Sequence, residues 1–259
     1  MSQPAVSQLA FDFEAVFEVD DYMYFYSEML TDEVTEKQVD FLERELELAQ
    51  GMQILDLACG FGRHANRLAG RGYTVSGVDF MPGFLELARR DAAARGVAVD
   101  YSQADMRQID FQAEFDRVLL LFTAFGYFED DENLQVLRNI ARALRPAGLL
   151  IFDINNRDFM MKNYMPYYVM EKAGNLMIDR NSIDVLSGRI INQRIVIRDG
   201  IRRDKPFSIR LYNATEIRSL LLQGGFEVEK IYGGWDAQPL STESRRLVII
   251  ARHLANSAR

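Results

Sequence analysis

Short, almost wholly apolar runs alternate along the first 155 residues with longer stretches in which apolar positions recur every three or four residues. The stretch "DEVTEKQVDFLERELELAQ", 32–50, spaces Val34, Val39, Leu42, Leu46 and Leu48 as a helix that ends before Gly51. Strands are predicted at "MQILDLA" (52–58), "YTVSGVD" (73–79), "VAVDYSQAD" (97–105), "FDRVLLLF" (115–122) and "LLIFDI" (149–154). Between them lie helical patterns at 62–72, closed by glycine, and at 82–96, with Pro82 in the first turn. A last one, 130–148, opens on aspartates and is stopped at Pro146.

This alternation predicts an α/β fold, a doubly wound, Rossmann-like sheet covered on both sides. Its ligand belongs beyond the carboxyl ends of the strands, where Asp56, Asp79, Asp105 and the segments 122–127 and 154–157 fall. After residue 155 the rhythm changes to period two. "NLMIDRNSID", "RIINQRIVIR" and "KPFSIRLY" read as antiparallel strands, the last two joined at Asp199-Gly200. A helix at 214–223, ended by two glycines, and strands at 226–234 and 245–253 close the chain. The expected organisation is an N-terminal helical segment (1–50), a core (51–154 and 213–254), and a β-rich insertion (155–212) over the ligand end of the sheet.

Composition narrows the class. The chain has 259 residues, 48% hydrophobic and 26% charged, which is ordinary for a globular protein. The lone Cys59 can form no internal disulfide, so a reducing cytoplasm is expected. The first residues lack a basic start followed by an apolar core, so no signal peptide is expected. No run approaches the roughly 20 apolar residues of a membrane span. The net charge of −8 disfavours nucleic acid as a partner, since that binding relies on a basic surface. The charge is uneven: residues 155–259 hold 17 Lys and Arg against 11 Asp and Glu, and the rest hold 13 against 27. With two histidines and no paired cysteine, no metal site is expected, and His64 is placed on a helix surface.

The chemistry centres on "ILDLACGFGRHA", 54–65. Gly60 and Gly62 allow a tight turn and close approach of a ligand, and the following helix aims free N–H groups at it. The pattern also fits a dinucleotide fingerprint, with Asp79 at the spacing of its ribose-binding acid. Asp56 separates the two ligand classes. A carboxylate beside the turn repels a diphosphate in a partly desolvated crevice and suits a ligand carrying an ammonium group.

These residues resemble the first motif of class I S-adenosylmethionine-dependent methyltransferases. "VSGVDF" and "YSQADM" resemble the family's second-strand and third-strand motifs. The resemblance implies a seven-stranded, mostly parallel sheet with an antiparallel last strand, and S-adenosyl-L-methionine as cofactor. It implies that Asp56 with the Ala58, Cys59, Gly60 and Gly62 backbone holds the methionine end. Asp79 and Phe80 would take the ribose, Asp105 and Met106 the adenine, and Phe122 would line the site.

At the end of the fourth strand, "LLLFTAFGYF" lacks the Asn/Asp-Pro-Pro-aromatic motif typical of nucleic-acid and protein amide N-methyltransferases. It is similar instead to small-molecule N-methyltransferases of the amino-sugar type. Those relatives have a tyrosine-bearing N-terminal lid, matched here by "DYMYFY" (21–26), and a β-flap matched by 155–212. The resemblance thus implies methyl transfer to a small molecule, at nitrogen rather than oxygen. Tyr127 and Tyr26 are the catalytic candidates, with Tyr24 and Tyr26 shielding the sulfonium. Tyr127, Asn156, Arg157, Arg210 and Tyr212 are the substrate candidates, and the arginines suit an acceptor with an anionic group. The alternatives are an NAD(P)-dependent oxidoreductase, an RNA methyltransferase, and a methyltransferase-like binding protein without turnover.

Overall fold

The computed structural model describes residues 12–254; the first eleven residues of the expected N-terminal segment lie outside the described residues. Three helices lead in: α1 (Phe13–Val16), α2 (Val19–Tyr26) and α3 (Asp32–Glu45). The alternating part then runs β1 (Gln53–Leu57), α4 (Arg63–Gly70), β2 (Thr74–Asp79), α5 (Pro82–Arg95), β3 (Asp100–Gln103), β4 (Phe115–Leu120), α6 (Asp130–Ala143) and β5 (Leu144–Asn155). After a short α7 (Arg157–Lys162) come β6 (Tyr167–Lys172), β7 (Asn175–Asp184), β8 (Arg189–Arg198) and β9 (Ile201–Arg210). The chain closes with α8 (Ala214–Gln223), β10 (Phe226–Tyr232) and β11 (Arg246–His253).

Seven strands form one sheet in the order β10-β11-β5-β4-β1-β2-β3. β1, β2, β3, β4 and β5 pair in parallel, and β11 runs antiparallel to both β5 and β10. The expected Rossmann-like sheet with an antiparallel last strand is therefore present. Its strands are apolar on both faces. Leu55, Leu57, Leu120 and Phe152 pack with α6 and α8 on one side, and Ile54, Leu119, Ile151 and Val248 with α3, α4 and α5 on the other. Each such fully buried side chain contributes roughly 1.5–3 kcal/mol. Chain order reverses between β1 and β4, which opens a crevice at their carboxyl ends.

The second sheet, β6-β7-β8-β9, is antiparallel. Asp199 and Gly200 turn its β8–β9 hairpin with positive φ, 53° and 76°, the backbone a twisted two-residue hairpin requires. One face of this sheet meets α1 and α2. There Asp21 of α2 bonds Lys205 Nζ at 2.6 Å, and both side chains are buried. The Tyr24 hydroxyl donates to the Lys172 carbonyl at 2.8 Å, and Arg194 binds both oxygens of Asp179. Among the described residues no helix is long and apolar enough to cross a membrane.

Several boundaries differ from the sequence pattern. α6 ends at Ala143 rather than Pro146, because Leu144 pairs with Phe115 and starts β5; the proline falls at a register irregularity, where a missing N–H is tolerated. β3 spans four residues rather than nine. β6 and α7 were unforeseen, since Tyr167, Tyr168 and Val169 are exposed edge-strand residues with no alternation to read.

Candidate cofactor and acceptor site

The carboxyl ends of β1, β2 and β4 and the segment after β3 enclose a cavity of about 1160 Å³, its open mouth included. α1 and α2 bring Phe13, Phe17 and Tyr22 over it. Of the residues assigned to the cofactor, Asp56, Ala58, Cys59, Gly60, Asp79, Phe80, Asp105, Met106 and Phe122 line this cavity, and so does Tyr127.

Asp56 sits in β1 on the face that carries α4, and it is 2% exposed. Its carboxylate accepts the Ala65 N–H in the first turn of that helix, yet Oδ2 has no partner. Burial pushes its pKa up to about 7; nearby Arg63 opposes the rise and Asp79 adds to it. A buried carboxylate oxygen without a donor is costly unless a ligand supplies one. Asp56 therefore keeps an oxygen unpaired at the cavity wall.

Arg63 is the counterpart that the sequence pattern did not single out. It is 6% exposed, donates to Thr35 Oγ1 (3.2 Å) and Gln38 Oε1 (2.6 Å) of α3, and has no ion-pair partner among the described residues. Burial lowers its pKa to about 10. A cation in the first turn of a helix opposes the helix dipole, and that misplacement was the readable signal. Asp56 and Arg63 together offer one unpaired charge of each sign at the glycine turn.

Asp79 Oδ2 accepts the Gly60 N–H at 2.7 Å and Oδ1 the Met81 N–H at 2.8 Å. Burial raises its pKa against these bonds. Asp105 is tied up by its neighbour: Arg107 reaches both oxygens and also Glu132, and lies 4.4 Å from the Phe128 ring centroid. Little of the Asp105 carboxylate is left for another donor.

Other expectations are corrected. Gly62 does not line the cavity. Its φ is 75°, and a Cβ there would stand 2.2 Å from the Tyr101 hydroxyl, so packing under the turn demands glycine. Tyr24 and Tyr26 face the insertion sheet, where Tyr24 bonds Lys172 and Tyr26 lies beside Arg194. Two residues before Tyr24 on α2, Tyr22 enters the cavity. His64 is 4% exposed rather than on a surface, because α3 packs over α4. It meets Gln38 at 2.9 Å, and burial drops its pKa well below the usual value.

None of Asn156, Arg157, Arg210 or Tyr212 lines the cavity. Asn156 caps α7 and donates to the Ser244 carbonyl; Arg157 and Arg210 both bind Glu216; the Tyr212 hydroxyl reaches Asp130. These partners come from α6, α8 and the loop before β11, and they hold the arginines away from the cavity.

The cavity lining is also aromatic: Phe17, Tyr22, Phe122 and Tyr127 line it, with His64 and Thr123. Burial raises the pKa of both Tyr22 and Tyr127, so these phenols keep their protons. Phe122 and Thr123 both have left-handed backbones, φ 62° and 60°. For non-glycine residues this costs about 1–3 kcal/mol each.

Residues 54–148 match the family model described as "Methyltransferase domain". The glycine/sarcosine N-methyltransferase of Parasynechococcus marenigrum is 32% identical over 161 residues, which cover 58% of this chain and 57% of that protein. The chain thus spans little more than half the length of that curated relative. Two solved structures share the fold. An S-adenosylmethionine-dependent methyltransferase from Clostridium acetobutylicum has a TM-score of 0.77 at 18% identity, covering 91% of this chain and 99% of that one. The sugar N-methyltransferase KedS8 from a Streptoalloteichus species has a TM-score of 0.70 at 20% identity, covering 98% and 100%.

Proposed function

We infer from a chain that carries a methyltransferase domain that it transfers a methyl group from S-adenosyl-L-methionine to the nitrogen of a small-molecule acceptor. The observation that carries this reading is the unpaired Asp56 oxygen beside the unpaired Arg63 guanidinium, buried at the glycine turn. The amino-acid end of the cofactor presents one ammonium and one carboxylate, the complement of that pair. A dinucleotide presents only negative charge there, which argues against the oxidoreductase reading.

Asp79 would receive the ribose, and Phe80 and Met106 would flank the base. The saturated Asp105 moves the weight of adenine recognition toward its neighbours' apolar surface. When bound, the cofactor would supply an activated methyl group on a sulfonium centre, with a neutral thioether as the leaving group.

The chain's own residues align and desolvate. Phe13, Phe17 and Tyr22 roof the cavity, so α1 and α2 serve as the lid, with the insertion sheet behind them as the cap. The His64 imidazole lines the same cavity, but burial holds its pKa well below the usual value and makes it a weak base, and the tyrosines hold their protons. This favours an amine that arrives neutral over an alcohol needing a base. Tyr22 and Tyr127 then orient it by hydrogen bonding. With Arg157 and Arg210 paired elsewhere, the acceptor need carry no anion.

Thermal-shift comparison of S-adenosylhomocysteine with NADH tests the cofactor assignment. Stabilisation by the first alone is expected, and stabilisation by NADH alone would overturn it. Mass-spectrometric screening of a panel of amines and phenols with S-adenosylmethionine then tests the acceptor, with methylated amines expected and methylated phenols alone contradicting it.

A further inference from the structure

The left-handed pair Phe122–Thr123 is the least comfortable backbone beside the cavity. A left-handed φ is uncommon outside glycine, asparagine and aspartate, and for bulky or β-branched side chains it is a true outlier. Such a conformation persists only where its surroundings over-determine it.

Here two residues from other strands do so. Asp153, 1% exposed near the end of β5, accepts the Phe122 N–H on Oδ1 at 2.6 Å, and its carbonyl accepts the Thr123 N–H at 3.1 Å. Arg246, at the start of β11, donates to Thr123 Oγ1 at 2.7 Å and to the remaining Asp153 oxygen. The side-chain bonds that fix the turn therefore pass through one ion pair, and the Asp153 carbonyl adds a main-chain bond. The turn in turn aims the Phe122 ring at the cavity, with the Arg246 and Arg63 guanidinium carbons 5.6 and 5.5 Å from its centroid. Arg63 belongs to the charge pair at the glycine turn. The strained turn thus stands between that pair and the aromatic acceptor wall.

We propose that Asp153 and Arg246 are positioning residues for methyl transfer: they hold Phe122 and Thr123 in a strained backbone that forms the wall against the transferable methyl group. The proposal rests on the methyltransferase reading above. Neither residue touches the reacting atoms; they act through Phe122. A stable but misplaced wall should leave the nucleoside and amino-acid ends bound as before and disturb only what lies at the sulfur. The discriminating quantity is therefore the ratio of affinities for S-adenosylmethionine, which carries the methyl group and the charge, and S-adenosylhomocysteine, which carries neither.

The test is calorimetry of both ligands with the full chain and its Thr123→Gly, Arg246→Gln and Arg246→Lys variants. Glycine accepts the left-handed backbone freely, so Thr123→Gly is expected to melt no lower than the parent. Its affinity for S-adenosylhomocysteine should stay within threefold, while that for S-adenosylmethionine falls at least tenfold. Arg246→Gln should behave likewise, and Arg246→Lys should recover part of the loss. A structural role alone would move both ligands together. If the folded Thr123→Gly variant keeps the ratio within twofold of the parent, the proposal is overturned, whether or not the Arg246 variants fold. Failure of the parent to bind either ligand would instead overturn the methyltransferase reading.

Discussion

Two regions of this molecule bury charged side chains, and they treat them in opposite ways. Between α2 and the insertion sheet every buried charge has a partner: Lys205 bonds Asp21, and Arg194 grips Asp179 through two nitrogens. At the end of β1 the buried charges are left waiting. Asp56 keeps an oxygen with no donor, and Arg63 has only a hydroxyl and an amide. Desolvating a charge is costly in both places. In the first region the protein itself offsets the cost, which fixes α2 against the insertion sheet. In the second it leaves the cost standing, which a folded chain sustains only where a ligand completes the set.

The comparison can be broken by removing one charge from each region. The largest effect is expected at the glycine turn. Asp56→Ala should weaken S-adenosylhomocysteine binding by about a hundredfold or more, measured by calorimetry, since a buried charge-assisted pair is lost. An affinity within threefold of the parent would equate the two regions and remove the distinction.

Next comes the scaffold. Lys205→Met leaves Asp21 buried with Arg198, hydrogen-bonded at 3.2 Å, and the more distant Arg203, and should destabilise the fold by roughly 1–3 kcal/mol in urea titration. The double variant with Asp21→Leu should recover most of that loss. Asp21 adds a pH signature: burial raises its pKa, but Lys205 and Arg198 lower it further, below the ordinary carboxylate value. Its contribution is present above that ordinary value and is lost as pH falls through the lowered one.

Asp56 carries the opposite sign. Its folded pKa of about 7 lies above the ordinary 3.8, so the ligand-free fold holds a proton that the unfolded chain releases. Stability from this group is full below pH 4 and declines as pH rises toward 7. Asp56→Asn should therefore raise the melting temperature at pH 8 and leave it nearly unchanged at pH 4.5. Equal shifts at both pH values would contradict the burial of a chargeable Asp56. The smallest effect is expected at Arg157: Arg157→Gln breaks a half-exposed pair with Glu216, worth at most about 1 kcal/mol, and should leave S-adenosylhomocysteine affinity within twofold.

The same contrast explains what the sequence could disclose. That Asp56, Gly60, Asp79 and Phe80 line one cavity was legible because each falls at or just beyond the carboxyl end of one of two adjacent parallel strands. The sheet order followed from alternation and the handedness of crossovers. Arg157 and Arg210 misled because an arginine's worth depends on its partner: Glu216 of α8 takes Arg210 from six residues away and Arg157 from far back in the chain. Tyr22, rather than Tyr24 or Tyr26, faces the cavity because α2 is fixed by its contacts to the insertion sheet, beyond the reach of local pattern. His64 is buried because α3, far back in the chain, covers its helix. Gly62 was rightly a glycine, but for the Tyr101 hydroxyl beneath it.

The most direct measurement is calorimetric titration of S-adenosylhomocysteine at pH 6 in two buffers of different ionisation enthalpy. If the ligand's ammonium group pairs with Asp56, binding must expel the proton held there, so about one proton should be released per ligand at pH 6 and almost none at pH 8.5. The Asp56→Asn variant should release none at either pH. Binding of undiminished strength with no buffer dependence at pH 6 would contradict the claim that this carboxylate is kept unpaired for a cationic ligand.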